Sequence, residues 1–232
     1  MGALGVGTWQ IGGPLLAGET RLGWGEVDDA ESVRALRRAA DLGVTLFDTA
    51  DSYGAGHAER VLGRALGERR DELVWVTKWG NTFDERTRQR GEPDATPEHA
   101  RRAFEASLRR LATDHLDVWL LHLAGAPVAL VDDLVAVCEE LVDVGRLRTY
   151  GWSTDDPARA AAMSRGPHAS VIAHQLDSAR RGGAAAAPRR AAAVVGLRWP
   201  LTHSGRHRAL RCRCSTGSTR GTGGTGGVGE SC

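Results

Sequence analysis

Phe47-Asp48-Thr49-Ala50-Asp51-Ser52-Tyr53-Gly54 ends a short apolar run, residues 44–47, on a carboxylate and places a tyrosine five residues further on. An apolar run of this length reads as a strand buried on both faces, which is the character of a parallel sheet covered by helices. The polar residue at its end then matters most, because it leaves the strand at the point where a loop begins.

Working outward, the same pattern recurs along the chain. Strand-like runs fall at residues 3–8, 44–47, 73–77, 116–121, 147–152 and 170–174. Helical patterns lie between them, at residues 29–42, 58–66, 98–111, 131–144 and 157–163. In the first, Val33, Leu36, Ala39 and Ala40 share one face. Thr96-Pro97 supplies a cap and a first-turn proline for the third, and Gly145 stops the fourth. Alternating strands and helices give either a doubly wound sheet or a barrel.

The polar strand ends decide between these. Asp48 ends the second run, Lys78 the third, His122 the fourth, Ser153 the fifth and Gln175 the sixth. Chemistry at the C-terminal ends of many successive strands belongs to a barrel. A doubly wound sheet concentrates its contacts at one switch point and a glycine-rich first turn, and the segment from Gly5 to Gln10 lacks the third glycine. The expected fold is an α/β TIM barrel of the (β/α)8 type, incomplete here at about six strand–helix units.

The 232 residues suit one domain of this class, and a net charge of +1 argues against a nucleic-acid binder. The charge is uneven. Residues 180–232 hold ten Arg, no Lys and one acid, a net of +9, which leaves −8 for the remainder. Residues 1–179 are therefore read as the barrel domain and 180–232 as an Arg- and Gly-rich tail. Cys138 lies in a helical pattern and reads as a buried thiol, while Cys212, Cys214 and Cys232 lie in the tail without metal-ligand spacing. No apolar run reaches the ~18 residues of a membrane span, and the N-terminus lacks a secretory pattern. Cytoplasm is the expected compartment.

Alone, Asp48 could cap a turn and Tyr53 could be a packed loop aromatic. Lys78 changes that reading. It is the only lysine in a chain with thirty basic residues, and a compact ammonium with an adjustable pKa is what arginine cannot supply. His122 joins as the fourth member, whereas His115 and His174 read as structural. Hydride transfer to a carbonyl leaves charge on oxygen and calls for a proton donor. A tyrosine titrates near ~10, and a nearby ammonium is expected to lower that value. Asp48 would hold Lys78, and His122 would fix the carbonyl oxygen.

DTADSYG (48–54), VTKWG (76–80) and DVWLLH (117–122) closely resemble the motifs of the aldo-keto reductases, with matching spacing from about Leu4 to Ser178. The resemblance implies a (β/α)8 barrel with a nicotinamide cofactor across its C-terminal mouth, NADPH more often than NADH, and a small-molecule aldehyde or ketone as substrate. It makes Tyr53 the general acid, Lys78 and Asp48 its tuners and His122 the substrate orienter. Gly7, Thr8 and Trp9 match the segment lining the cofactor cleft. Ser153 and Gln175 match positions that hydrogen-bond the nicotinamide carboxamide. Thr154 stands where many members have Asn, and a hydroxyl cannot supply both the donor and the acceptor of an amide.

Nothing after about residue 178 matches, where family members supply two further strand–helix units and the residues that hold the cofactor phosphates. The tail reads as a sequence that has left its frame or been misjoined, in preference to a basic arm for an anionic partner. Two other functions stand beside the reductase. One is a nucleotide-binding auxiliary or sensor of the same fold, or an inactive shortened product. The other, a metal-dependent barrel hydrolase, would need converging His and carboxylate ligands, and no His-x-His follows the first strand. Substrate identity and oligomeric state are not legible in the sequence.

Overall fold

The computed structural model of the chain describes residues 4–173. Six strands form one parallel sheet: β1 (Val6–Gly7), β2 (Leu46–Asp48), β3 (Val74–Trp79), β4 (Leu116–Leu121), β5 (Leu147–Ser153) and β6 (Ala169–Ala173). Helices α1 (Asp29–Asp41), α2 (His57–Leu66), α3 (Pro97–Leu111), α4 (Val131–Asp143) and α5 (Pro157–Met163) fill the five crossovers. The strands' order in the sheet is their order in the chain. That is barrel winding, since a doubly wound sheet reverses its order at the switch point. Among the described residues, β1 and β6 are the two edges. Gln175, His174 and the basic tail lie outside the described residues.

The helices begin where local chemistry predicts. Asp28 accepts from the backbone N–H groups of Ala30 and Glu31, and Thr96 accepts from that of His99 ahead of Pro97. Asp156 caps α5 in the same way, ahead of Pro157. Each such cap contributes about 1 kcal/mol.

Alternation along the strands produces two cores. Phe47, Trp75, Trp119, Tyr150 and Trp152 pack with helix residues such as Leu62, Phe104, Leu108 and Leu134. The intervening positions, Leu46, Val74, Val76, Val118, Leu120, Val171 and Ala173, form a separate cluster with no helix residue in it. The first core is the outer layer between sheet and helices, and the second is the barrel interior. Because side chains repeat every two residues, Asp48, Lys78, His122 and Ser153 continue the interior rows at their C-terminal ends.

Three features differ from the sequence reading. The first strand is only Val6–Gly7, because pairing with β2 extends no further than Phe47 and Asp48. The third strand runs on to Trp79, so Lys78 is paired within β3, opposite Leu120. A second, four-stranded sheet is an addition that the apolar pattern does not signal. Asn81–Asp84 pairs antiparallel with Gln89–Pro93, which also meets Leu16–Ala17, itself paired with Thr20–Arg21. It joins the loop after β1 to the loop after β3. No helix among the described residues is long and apolar enough to cross a membrane.

Candidate active site

The interior rows of β2, β3 and β4 bring three predicted residues together, and the loop after β2 adds the fourth. The Lys78 ammonium lies 2.7 Å from both carboxylate oxygens of Asp48, 2.8 Å from the Thr49 carbonyl and 3.4 Å from the Tyr53 hydroxyl. It also stands 5.1 Å from the centre of the Tyr53 ring. Lys78 is buried. Burial works against its charge, but Asp48 and, after it, Tyr53 together outweigh this and hold the ammonium above its ordinary pKa.

Tyr53 is held by its loop. Its ring lies 6.2 Å from that of Trp9 and meets His122 edge-on at 6.0 Å. Gly54 follows at φ +61°, and a Cβ there would collide with the Gly12 carbonyl oxygen. The loop can approach the segment after β1 only with glycine at this point.

The expected direction of the Tyr53 shift is corrected. Burial raises the phenol above its ordinary value. Lys78 pulls it down, but Asp48 pushes it up again, and the balance stays above. A sequence supplies the ammonium but not the depth of burial that outweighs it. Among the described residues His122 has no side-chain hydrogen-bond partner, and its Nδ1 is sealed, which leaves Nε2 as the nitrogen able to meet a ligand. Burial, then the charges of Lys78 and Arg90, lower its pKa to about 3, so the imidazole is neutral at physiological pH.

These side chains open onto a cleft of about 960 Å³, whose walls include Trp9, Leu22, Arg90, Pro93, Leu123 and Leu130. Ser153 and Thr154 lie at one side of it. Of the segment Gly7, Thr8 and Trp9, only Trp9 lines the cleft. Thr8 is fully buried, its backbone N–H donating to the Asp48 carbonyl at 2.8 Å and its hydroxyl without a partner among the described residues. Thr154 is buried too, and its hydroxyl accepts the N–H of Asp156 at 3.1 Å. It closes a turn ahead of α5 where an amide side chain was the family expectation. Gln175 lies outside the described residues. His115 lies outside the cleft and bonds Asp114 at 2.7 Å. Among the described residues no cluster of His, Cys, Asp or Glu could hold a metal ion.

Residues with no distinguishing mark in the sequence also shape the site. Glu59 of α2 is completely buried, accepting from Thr77 and from Arg110 at 2.6 Å each. Arg110 continues to Glu85 at 3.0 Å. Thr77 precedes Lys78, so this network anchors β3 from its outer face. Asp51 is buried beside it, and burial together with the Glu59 charge raises its pKa well above the ordinary carboxylate value.

A parallel barrel sheet with an Asp–Lys–Tyr–His cluster at its C-terminal mouth defines a class, and comparison with known proteins agrees. The model of the aldo/keto reductase family matches residues 3–178, and the chain belongs to that family. It is 35% identical over 157 residues to the aldo-keto reductase YhdN of Bacillus subtilis, covering 65% of this chain and 42% of that one. It is 36% identical over 159 residues to the methylglyoxal reductase YeaE of Escherichia coli, covering 67% and 46%. The chain thus spans less than half the length of these curated relatives. Among solved structures, the holo form of aldo-keto reductase AKR11C1 from Bacillus halodurans superposes with a TM-score of 0.64 at 28% identity, covering 75% of this chain and 53% of the other. An aldo/keto reductase from Klebsiella pneumoniae in complex with NADP and acetate gives 0.55 at 34% identity, covering 73% and 53%.

Proposed function

We propose that the site reduces an aldehyde or ketone to an alcohol, with Tyr53 as the proton donor. The observation that carries this reading is the Lys78 ammonium, which reaches both the Asp48 carboxylate and the Tyr53 hydroxyl inside the cleft. A protein that only bound a nucleotide would have no use for a buried ammonium aimed at a phenol.

The described residues fit the nicotinamide end of an NAD(P) cofactor. Ser153 lines the cleft two residues beyond the last interior glycine of β5, and the Trp9 ring forms part of the wall. Family likeness favours NADPH. One solved relative was captured with NADP, and another relative is named an NADH-specific methylglyoxal reductase, so NADH is the second choice. When bound, the nicotinamide supplies the hydride to the carbonyl carbon.

The chain's own residues handle the oxygen. Tyr53 gives its hydroxyl proton to the carbonyl oxygen as charge develops there. Its raised pKa keeps that proton in place at neutral pH. Lys78 then stabilises the phenolate that remains, and Asp48 fixes the ammonium. His122, neutral, offers Nε2 to the carbonyl oxygen and orients it.

The test is NADPH oxidation by the full chain with a panel of aldehydes, alongside fluorescence titration of NADPH. Turnover that requires Tyr53 supports the reading. NADPH binding without turnover of any aldehyde would make the chain an auxiliary binder and overturn it.

A further inference from the structure

The hairpin after β3 brings one cation into a cleft whose other walls are largely apolar. Arg90 lies on the strand Gln89–Pro93 and lines the cleft with Leu15, Leu22, Pro93, Leu123 and Leu130. Its hydrogen bond is to a neutral group. Nη2 donates to the Asn81 side-chain oxygen at 2.8 Å, while the Asn81 amide leans towards the His122 carbonyl at 3.5 Å. Among the described residues Arg90 has no acid as an ion-pair partner. Arg90 is itself exposed, and other arginines, among them Arg60, Arg69, Arg101 and Arg165, do have one. The other cleft cation, Lys78, is matched by Asp48. Among the described residues Arg90 is therefore a cation at the cleft with no acid paired to it, close enough to His122 for its field to be felt there.

We propose that Arg90 is an anion handle, and that the carbonyl compounds this cleft selects carry a carboxylate. This rests on the reductase reading of the same site. Asn81 engages one nitrogen of the guanidinium, which leaves the rest of the fork for a planar, singly charged acceptor. A phosphate dianion would call for a second free cation, and the cleft walls formed by the described residues hold none. The apolar walls suit the carbon chain between carbonyl and carboxylate. The hairpin is a loop at the C-terminal mouth, where barrel enzymes set their substrate choice.

The experiment compares aliphatic oxo acids of increasing length with their methyl esters, using the full chain, Arg90→Gln and Arg90→Lys. For at least one length, kcat/KM for the acid should exceed that for the ester by about tenfold or more. That ratio should fall at least tenfold in Arg90→Gln and recover in part in Arg90→Lys, which keeps the charge but loses the fork. Each ratio is taken within one variant, so a change in stability cancels. A second measurement is calorimetric binding of the saturated carboxylates of the same lengths. If no carbonyl is turned over but carboxylates bind in an Arg90-dependent way, the reductase reading fails and the handle stands. Equal turnover of acids and esters by the unaltered chain, or a ratio indifferent to Arg90→Gln, overturns the handle and leaves the reductase reading intact. Neither turnover nor carboxylate binding overturns both.

Discussion

Lys78 reaches both carboxylate oxygens of Asp48 at 2.7 Å but the Tyr53 hydroxyl only at 3.4 Å. The ammonium is tied to the acid and merely leans on the phenol. Arginine at this position would keep the charge and lose the geometry, because a planar fork cannot serve Asp48, the Thr49 carbonyl and Tyr53 from one point. It would also overfill a buried site. Lys78→Arg is expected to lower kcat/KM more than tenfold, about 1.4 kcal/mol in the barrier. Steady-state kinetics would check it, and a milder loss would mean that charge alone suffices.

Tyr53→Phe removes one hydroxyl and leaves the ring between Trp9 and His122. Turnover should fall by about 10²–10⁴-fold, the usual contribution of a general acid. The melting temperature and NADPH affinity should change little. Rates together with NADPH fluorescence titration would measure this, and near-normal turnover would remove Tyr53 from the mechanism.

Much of this site is legible in the amino-acid sequence. Apolar runs ending in Asp48, Lys78 and His122 mark both the strands and their chemical ends, because a strand's last interior position faces the barrel mouth. Lys78 stands out as the only lysine. Arg90 does not, being one of many arginines in a polar hairpin whose alternation carries no apolar signal. Glu59 looks like an ordinary helix-surface acid, and only packing against β3 reveals it as buried. The direction of the Tyr53 shift is not legible, because burial depends on the whole fold, while the charge of Lys78 can be read from one letter.

That shift has its own test. Tyr53 and Tyr150 are the only tyrosines in the chain. Burial, with Glu139 beside it, raises Tyr150 as well. In the cofactor-free chain, absorbance at the phenolate band should show less than half ionisation of either residue at a pH of about 10, the ordinary tyrosine midpoint. The difference between the unaltered chain and Tyr53→Phe isolates Tyr53. A midpoint below the ordinary value would mean that Lys78 outweighs burial after all.

Glu59 binds β3 to α3 through Thr77 and Arg110. Glu59→Gln keeps the shape and removes the charge, leaving Arg110 mostly buried with the half-exposed Glu85 as its remaining ion-pair partner among the described residues and Asp51 as a further acid nearby. Breaking one side of a buried pair is costly, and partial compensation by Glu85 puts the expected loss at about 2–4 kcal/mol. Urea denaturation would show it as a lower midpoint at unchanged slope.

Asp51 lies on the other side of the same balance. Its carboxyl is buried, one oxygen has no hydrogen-bond partner among the described residues, and the Glu59 charge stands against it. Burial first, then Glu59, raises its pKa well above that of the unfolded chain, so the folded state binds the proton more tightly. By linkage, this group costs nothing at a pH below the unfolded value of 3.8. The cost grows as pH rises from there through the folded pKa, and it is then present in full. Asp51→Asn keeps the shape and cannot ionise. It should therefore stabilise the chain, with a gain that is small near a pH of about 4 and larger at a pH of about 7 to 8, and it should flatten the decline of stability across that interval. Thermal melts of both proteins over the pH series would measure the gain. A gain independent of pH would point to packing alone, and a loss at neutral pH would mean that the Asp51 charge is held by Arg110 more strongly than Glu59 repels it.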